Sequence, residues 1–204
     1  AHGFSFYLRD ENKIEALHEN SHRYFDEATG EHVTKEQFIK AHFAQIKLLG
    51  VNDVTPTAKR KSTEYYNFFL GSDPSRWAQR VAAYEEITYS GIYTGIDFRV
   101  YSSGPDAKYD YIVQPGADVN RIQLDYAGFD NVCLVDGNLF SYTSDGTLQE
   151  SKPYAYQIIN GEHRVVECNY KVIGNTVSYV FPTGYDDCYE LVIDPLLIFS
   201  TYSG

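Results

Sequence analysis

The sequence predicts a mainly β protein, an antiparallel β-sandwich or meander with one short helix near the N-terminus, and three observations carry that prediction. Tyr and Phe are in excess, at 19 and 12 of 204 residues, and aromatic side chains suit half-buried sheet faces. Apolar and polar residues alternate over short runs: Ile96, Phe98 and Val100 against Asp97, Arg99 and Tyr101, then Ile122, Leu124 and Tyr126 against Arg121, Gln123 and Asp125. Between such runs sit Asp136-Gly137-Asn138, Asp145-Gly146, Asn160-Gly161 and Gly174-Asn175, which tolerate the positive φ that tight hairpins require.

In chain order, Phe4 to Leu8 reads as a strand, and Glu11 to Phe25 as an amphipathic helix with Ile14, Leu17, Ser21, Tyr24 and Phe25 on one face. The turn signal Thr29-Gly30 ends that helix. From Phe38 to Leu49 the apolar pattern fits both periods, and a strand is favoured from about His42. Asn52 to Lys61, with Pro56 and the triplet Lys59-Arg60-Lys61, reads as a solvated connection. From Glu64 onward roughly eight or nine short strands are expected.

Three portions follow from this: 1–61, a strand-helix-strand portion packed on the sheet region; 62–195, the antiparallel β region; and 196–204, the start of a following domain. The last boundary rests on Pro195, which cannot donate a ladder hydrogen bond. The apolar run Leu196-Leu197-Ile198-Phe199 beyond it calls for a partner surface.

The net charge of −11 is uneven. Residues 1–61 carry nine acidic and nine basic side chains, which leaves 19 against eight for the remainder. Such a surface repels nucleic-acid phosphates and anionic headgroups, and no basic stripe offsets it. No apolar run is long enough for a transmembrane helix, so neither nucleic acid nor membrane insertion is an expected partner. The three cysteines match no zinc or CxxC spacing. Counting back from a Gly174-Asn175 turn puts Ile173 opposite Thr176 and Cys168 opposite Phe181. With Pro182 facing Cys188, the thiols of Cys168 and Cys188 fall on opposite sheet faces, so free thiols are expected.

His18-Glu19-Asn20-Ser21-His22 is a literal HExxH. Histidines at i and i+4 share a helix face and can hold one Zn²⁺, with the glutamate as general base for a bound water. His32 or His42 are the candidates for a third ligand. Against this, Glu15, Arg23, Asp26 and Glu27 flank the motif where apolar support is needed, and five of the six histidines fall within residues 1–42, so coincidence is easy. The solvated helix is the favoured reading. No catalytic, cofactor-binding or metal residue is assigned, no cofactor is expected, and His18, Glu19 and His22 stand only as the runner-up zinc hydrolase.

Paired carboxylates fare no better. Asp97, Asp110 and Asp125 are expected on outward strand faces, and nothing in their spacing forces two together across a cleft. Asp186, Asp187 and Glu190 lack the alternating oxygens and glycine of a calcium loop. No GxSxG elbow exists, since Ser72 sits in turn chemistry, and the Gly91 to Gly95 segment leads into a strand where a phosphate cradle should open a helix. Tyr65, Tyr66, Tyr154 and Tyr156 suit either a sugar-stacking platform or cross-strand pairs, and the pairs are favoured.

Five stretches together carry a family resemblance: Tyr66-Asn67-Phe68-Phe69-Leu70-Gly71-Ser72-Asp73-Pro74-Ser75-Arg76-Trp77, Tyr93-Thr94-Gly95-Ile96-Asp97, Tyr109 through Asp118 (YDYIVQPGAD), Lys152-Pro153-Tyr154-Ala155-Tyr156-Gln157 and Leu191-Val192-Ile193-Asp194-Pro195. In this order the chain resembles, over about residues 1–195, the uncharacterised N-terminal domain of large Bacteroidota surface proteins. There it precedes β-propeller repeats and a type IX secretion sorting domain, and residues 197–204 resemble the first propeller strand. The resemblance implies an extracellular or cell-surface location and a downstream propeller of the same chain as partner. It supplies no catalytic residue. The expected function is a non-catalytic structural or adhesive module with a surface glycan or protein as possible ligand. A carbohydrate-binding module is the alternative, and the zinc hydrolase the lesser one.

Overall fold

A computed structural model of the chain describes residues 3–9, 24–26, 31–33, 41–103, 106–144, 146–195 and 197–200. Over these the chain forms β1 (Gly3–Arg9), β2 (Tyr24–Asp26), β3 (Glu31–Val33), β4 (Ala41–Leu48), β5 (Thr57–Phe68), β6 (Ala78–Tyr93), β7 (Ile96–Ser103), β8 (Asp106–Val113) and β9 (Gln123–Ala127). There follow β10 (Asn131–Val135), β11 (Asn138–Thr143), β12 (Gly146–Glu150), β13 (Tyr154–Ile159), β14 (Glu162–Val166), β15 (Asn169–Ile173), β16 (Thr176–Val180), β17 (Leu191–Asp194) and β18 (Leu197–Ser200).

All pairings are antiparallel. One sheet runs β1-β4-β9-β16-β15, a second β14-β13-β17-β8-β7-β6-β5 and a third β10-β11-β12-β18, while β2 pairs with β3. No helix among the described residues is long and apolar enough to cross a membrane.

Alternation in sequence becomes alternation of faces. Ala44, Ile46 and Leu48 of β4, Leu124 and Tyr126 of β9, and Val177 and Tyr179 of β16 are buried on one side of the five-stranded sheet. They meet Phe98, Tyr109, Tyr111, Val113, Leu191 and Ile193 from the seven-stranded sheet in one continuous core. Phe4 of β1 lies 5.3 Å from the Tyr109 ring, and Tyr179 of β16 lies 5.8 Å from Tyr111. The two sheets thus close face to face as a sandwich, and Leu139 and Leu148 of the four-stranded sheet join the same core.

Aromatic excess is explained here: tyrosines fill the interior rather than only the surface. The hairpin turns sit where expected, with Asp136 at φ +50° and Gly137 at +81°, and Asn160 at +54° and Gly161 at +84°. That is the mirror-image turn geometry that matches strand twist.

Three expectations need correction. Tyr24 and Phe25, expected on a helix, lie in β2 paired to β3, with Phe25 opposite His32. Consecutive aromatics ahead of a Thr-Gly turn signal favour a hairpin over a helix end; the expected helix over residues 11–23 lies outside the described residues. Residues 57–61, expected as connection, begin β5, because Lys59 and Lys61 alternate along a ladder opposite Glu86 and Tyr84. Among the described residues of 62–195, twelve strands begin, β6 to β17, where eight or nine are expected from the sequence. Short hairpins such as β10-β11-β12 account for the difference.

Strands at Phe4 to Leu8 and from His42 are present as expected. β18 pairs along β12, with Leu197 opposite Glu150.

Candidate binding surfaces

The outer face of the seven-stranded sheet carries a polar and aromatic array built by register. Thr88 stands opposite Arg99, Arg99 opposite Asp110, and Tyr154 opposite Asp194. The pairing of Ile193 with Tyr111 brings Asp194 alongside Asp110. One transverse row across five strands therefore reads Thr88, Arg99, Asp110, Asp194, Tyr154.

Asp110 is only 2% exposed although it faces outward, because its neighbours cover it. Arg99 donates to its Oδ2 through Nε at 3.1 Å and through Nη2. Tyr101 Oη–H donates to Oδ1 at 3.2 Å, and the Arg99 guanidinium lies 5.0 Å over the Tyr101 ring. Asp110 was expected as a solvated aspartate; a short-armed carboxylate flanked by longer Arg and Tyr side chains is instead roofed by them. Glu86 is buried on the same face, paired with Lys59 at 3.5 Å and Arg60 at 3.1 Å.

Beside this network Asp194 is half-buried, and its Oδ1 is sealed from solvent without a hydrogen-bond partner. Burial, and next the charge of Asp110, pushes its carboxyl above the ordinary aspartate value. Tyr156 and Tyr154 project from β13 on the same face, and His163 from β14 stacks on Tyr156 at 4.5 Å. Burial first and Asp110 second raise the Tyr156 hydroxyl as well. No sequence signal marked Asp194, whose neighbours Tyr154 and Asp110 lie about 40 and 84 positions away in the chain, whereas His163 meets Tyr154 and Tyr156 across the β13–β14 hairpin.

The second surface is an arm. Residues 78–84 of β6 pair only with β5, since the ladder to β7 begins at Glu86; at about 3.3 Å per residue they make a two-stranded ribbon roughly 20 Å long. At its tip Asp73 caps a short 3-10 turn, Pro74–Arg76, by accepting from Ser75 N at 3.0 Å. Trp77 Nε1–H donates to the Gly71 carbonyl at 3.0 Å, and its ring meets Phe69 edge-on at 5.3 Å. Tyr65, Tyr66, Phe68, Phe69 and Leu70 are each about half exposed. Of the four candidate platform tyrosines, Tyr154 and Tyr156 thus share one face, 5.8 Å apart, whereas Tyr65 and Tyr66 belong to the arm at the opposite edge of the sheet.

The remaining candidates resolve differently. His18, Glu19 and His22 lie outside the described residues. His42 hydrogen-bonds Ser144 Oγ at 3.1 Å and the Gly128 carbonyl, so both ring nitrogens are engaged within the fold. Asp97 accepts from Gly91 N at 2.7 Å, a backbone support at the bend of β6.

Asp186, Asp187 and Cys188 bring ligand-type atoms within 4.8 Å of one another in an exposed turn. Asp186 Oδ1 there accepts from Cys188 N, while Glu190 accepts from Gln114. The turn is held from below by buried Gln157, whose Nε2 donates to the Asp186 carbonyl at 2.7 Å and whose Oε1 accepts Asp186 N at 3.0 Å. This is loop architecture rather than a built cation site.

The predicted register of Ile173 opposite Thr176 is found, but Cys188 lies in this turn and not on a strand opposite Pro182. All three cysteines are free. Burial pushes the Cys168 thiol up to about 12, and the charges of Asp186 and then Asp187 raise that of Cys188. Thiol alkylation of the native protein at pH 8 is therefore expected at Cys188 well before Cys168, which should label only on unfolding. Asp187→Asn should speed the Cys188 reaction; labelling of Cys168 at the Cys188 rate would contradict the buried placement.

Sandwich, exposed aromatic arm and charged outer face define an antiparallel β-sheet domain. The chain belongs to the family described as Domain of unknown function (DUF7948), whose model matches residues 1–196. No curated protein and no solved structure matches it.

Proposed function

We propose that this domain is a non-catalytic structural or adhesive module of an exported, multidomain cell-surface protein, and that the β5–β6 arm packs onto a neighbouring domain of the same chain. The arm carries the reading. A lone two-stranded ribbon is marginal in water, yet this one projects Tyr66, Phe68, Phe69 and Leu70 at about half exposure. Contiguous exposed aromatic surface of this kind marks a contact site, and Tyr, Trp, Phe and Arg are the residues that interface cores favour.

The resemblance to domains that precede propellers supports an intramolecular partner, which a short linker holds at high effective concentration.

Hydroxyl-radical footprinting tests the proposal. Tyr66, Phe69 and Trp77 should oxidise readily in the 204-residue chain and be protected severalfold in the full-length exported protein. Equal oxidation in both would overturn the assignment of the arm.

A further inference from the structure

We propose that the β5–β6 arm is a lever on a pinned hinge: Glu86 fixes the direction in which the arm leaves the sheet, and Lys59 and Arg60 of β5 close on it as two clasps. The base of the arm has this property whatever its tip meets. Glu86 is the last residue of β6 held on both sides, opposite Lys59 of β5 and Tyr101 of β7. Just beyond it the β5–β6 ladder shifts register, because between the pairs Lys61–Tyr84 and Tyr65–Ala82 residues 62–64 of β5 stand against residue 83 alone. A bulge of this kind bends its strand and increases the local twist. Arg60, beside the bulge, has φ +52°, a left-handed backbone that residues other than glycine seldom adopt. A second kink follows at Arg80, φ +54°, whose backbone N–H donates to Asn67 Oδ1 at 2.8 Å. A two-stranded ribbon bent at its root pivots there unless a further contact holds it.

Glu86 supplies that contact. Its side chain is 8% exposed, and each carboxylate oxygen has its own cation: Lys59 Nζ lies 3.5 Å from Oε1 and Arg60 Nη1 3.1 Å from Oε2. Thr88 Oγ1–H also donates to Oε1, at 3.4 Å. In a regular strand Lys59 and Arg60 would point to opposite faces. The left-handed turn at Arg60 is what lets both reach one carboxylate, while Arg60 Nε also meets Glu85 at 3.3 Å. The unusual backbone and the buried charge therefore account for each other. A carboxylate this buried is stable only with its partners in place, so the pairing holds β5 at one angle against β6 at the root of the arm. An arm aimed beforehand loses less freedom when it docks.

Pulsed electron spin resonance tests the hinge in the 204-residue chain. One nitroxide sits on Cys188, exposed on the body, and the other on Ser72→Cys at the arm tip, with Cys133→Ser removing the third accessible thiol. The parent should give a narrow distance distribution. Glu86→Gln keeps the shape of the side chain without its charge and should widen the distribution about twofold or more. The double variant Lys59→Gln, Arg60→Asn should do the same. Both its positions are exposed, asparagine tolerates the left-handed backbone, and it decides the matter should Glu86→Gln fail to fold. Phe69→Ala near the tip should leave the width unchanged. A parent as broad as the variants, or a double variant as narrow as the parent even with a lowered melting temperature, would overturn the proposal. Footprinting of the arm in the full-length protein reads its partner and is blind to this width, so the docking assignment and the pin fail separately.

Discussion

Replacing Glu150 by alanine is expected to lower the stability of the domain by about 2–4 kcal/mol. For a chain of this length that corresponds to a drop in melting temperature on the order of 10 °C. Glu150, on β12 of the four-stranded sheet, is 1% exposed. It accepts from Tyr109 Oη–H of the seven-stranded sheet at 2.9 Å and from Tyr126 Oη–H of the five-stranded sheet. One carboxyl therefore ties all three sheets together at their junction. Its removal strands two buried hydroxyls and leaves a void beside Tyr111 and Tyr170, whose hydroxyls already lack a protein partner.

Glu150→Gln separates the packing contribution from the titration. Burial, the largest influence, pushes the Glu150 carboxyl above its ordinary 4.5, against the two tyrosine hydrogen bonds, which act to lower it. The folded protein then keeps a proton that the unfolded chain has released, so stability from this group is fully present below 4.5 and is lost as pH rises from there through the raised folded value. Glutamine does not titrate. Urea unfolding of both proteins across that range should show the Gln variant gaining on the wild type as pH rises, with a constant difference at lower pH. Asp194, shifted in the same direction, is common to both and cancels. A difference independent of pH would show that Glu150 is not desolvated as described.

Arg99→Ala is expected to cost about 3 kcal/mol, the low end of the range for breaking a buried ion pair, because the Arg99 side chain itself is 32% exposed and water can partly replace it. The loss arises at Asp110, whose side chain is 3% exposed and would retain only the Tyr101 hydroxyl. Asp110→Leu alone should be damaging for the converse reason, leaving a guanidinium against an apolar wall. The double variant Arg99→Met, Asp110→Leu should recover most of the loss, since an apolar pair of similar volume removes both desolvation costs together. Urea midpoints around this cycle measure the coupling; additive single losses would show that the two side chains do not act as a pair.

The β class, the hairpin turns and the inward faces of β7 and β9 were legible because each is a local property. Alternation places Ile96 and Phe98 on one face, and Asn160-Gly161 closes a hairpin, whatever the rest of the chain does. The Ile173 to Thr176 register followed from the turn alone for the same reason. Where local signals conflicted, the reading went wrong: Tyr24 and Phe25 fit a helical face but pair as a strand, and Lys59-Arg60-Lys61 looked like a solvated loop because its partners Glu85 and Glu86 lie 25 positions onward.

The sequence by itself thus determined that this chain builds antiparallel sheets with an aromatic interior, and that it is acidic. Only the tertiary structure decided that Asp110 is buried, that Glu150 joins three sheets, that Tyr154 and Tyr156 part company with Tyr65 and Tyr66, and that Asp194 stands beside Asp110. Strand order sets these neighbours, and it is fixed by how the inner faces pack rather than by spacing along the chain. Long-range pairing such as β17 with β8, some 80 residues apart, leaves no periodic trace in the sequence from which a site could be read.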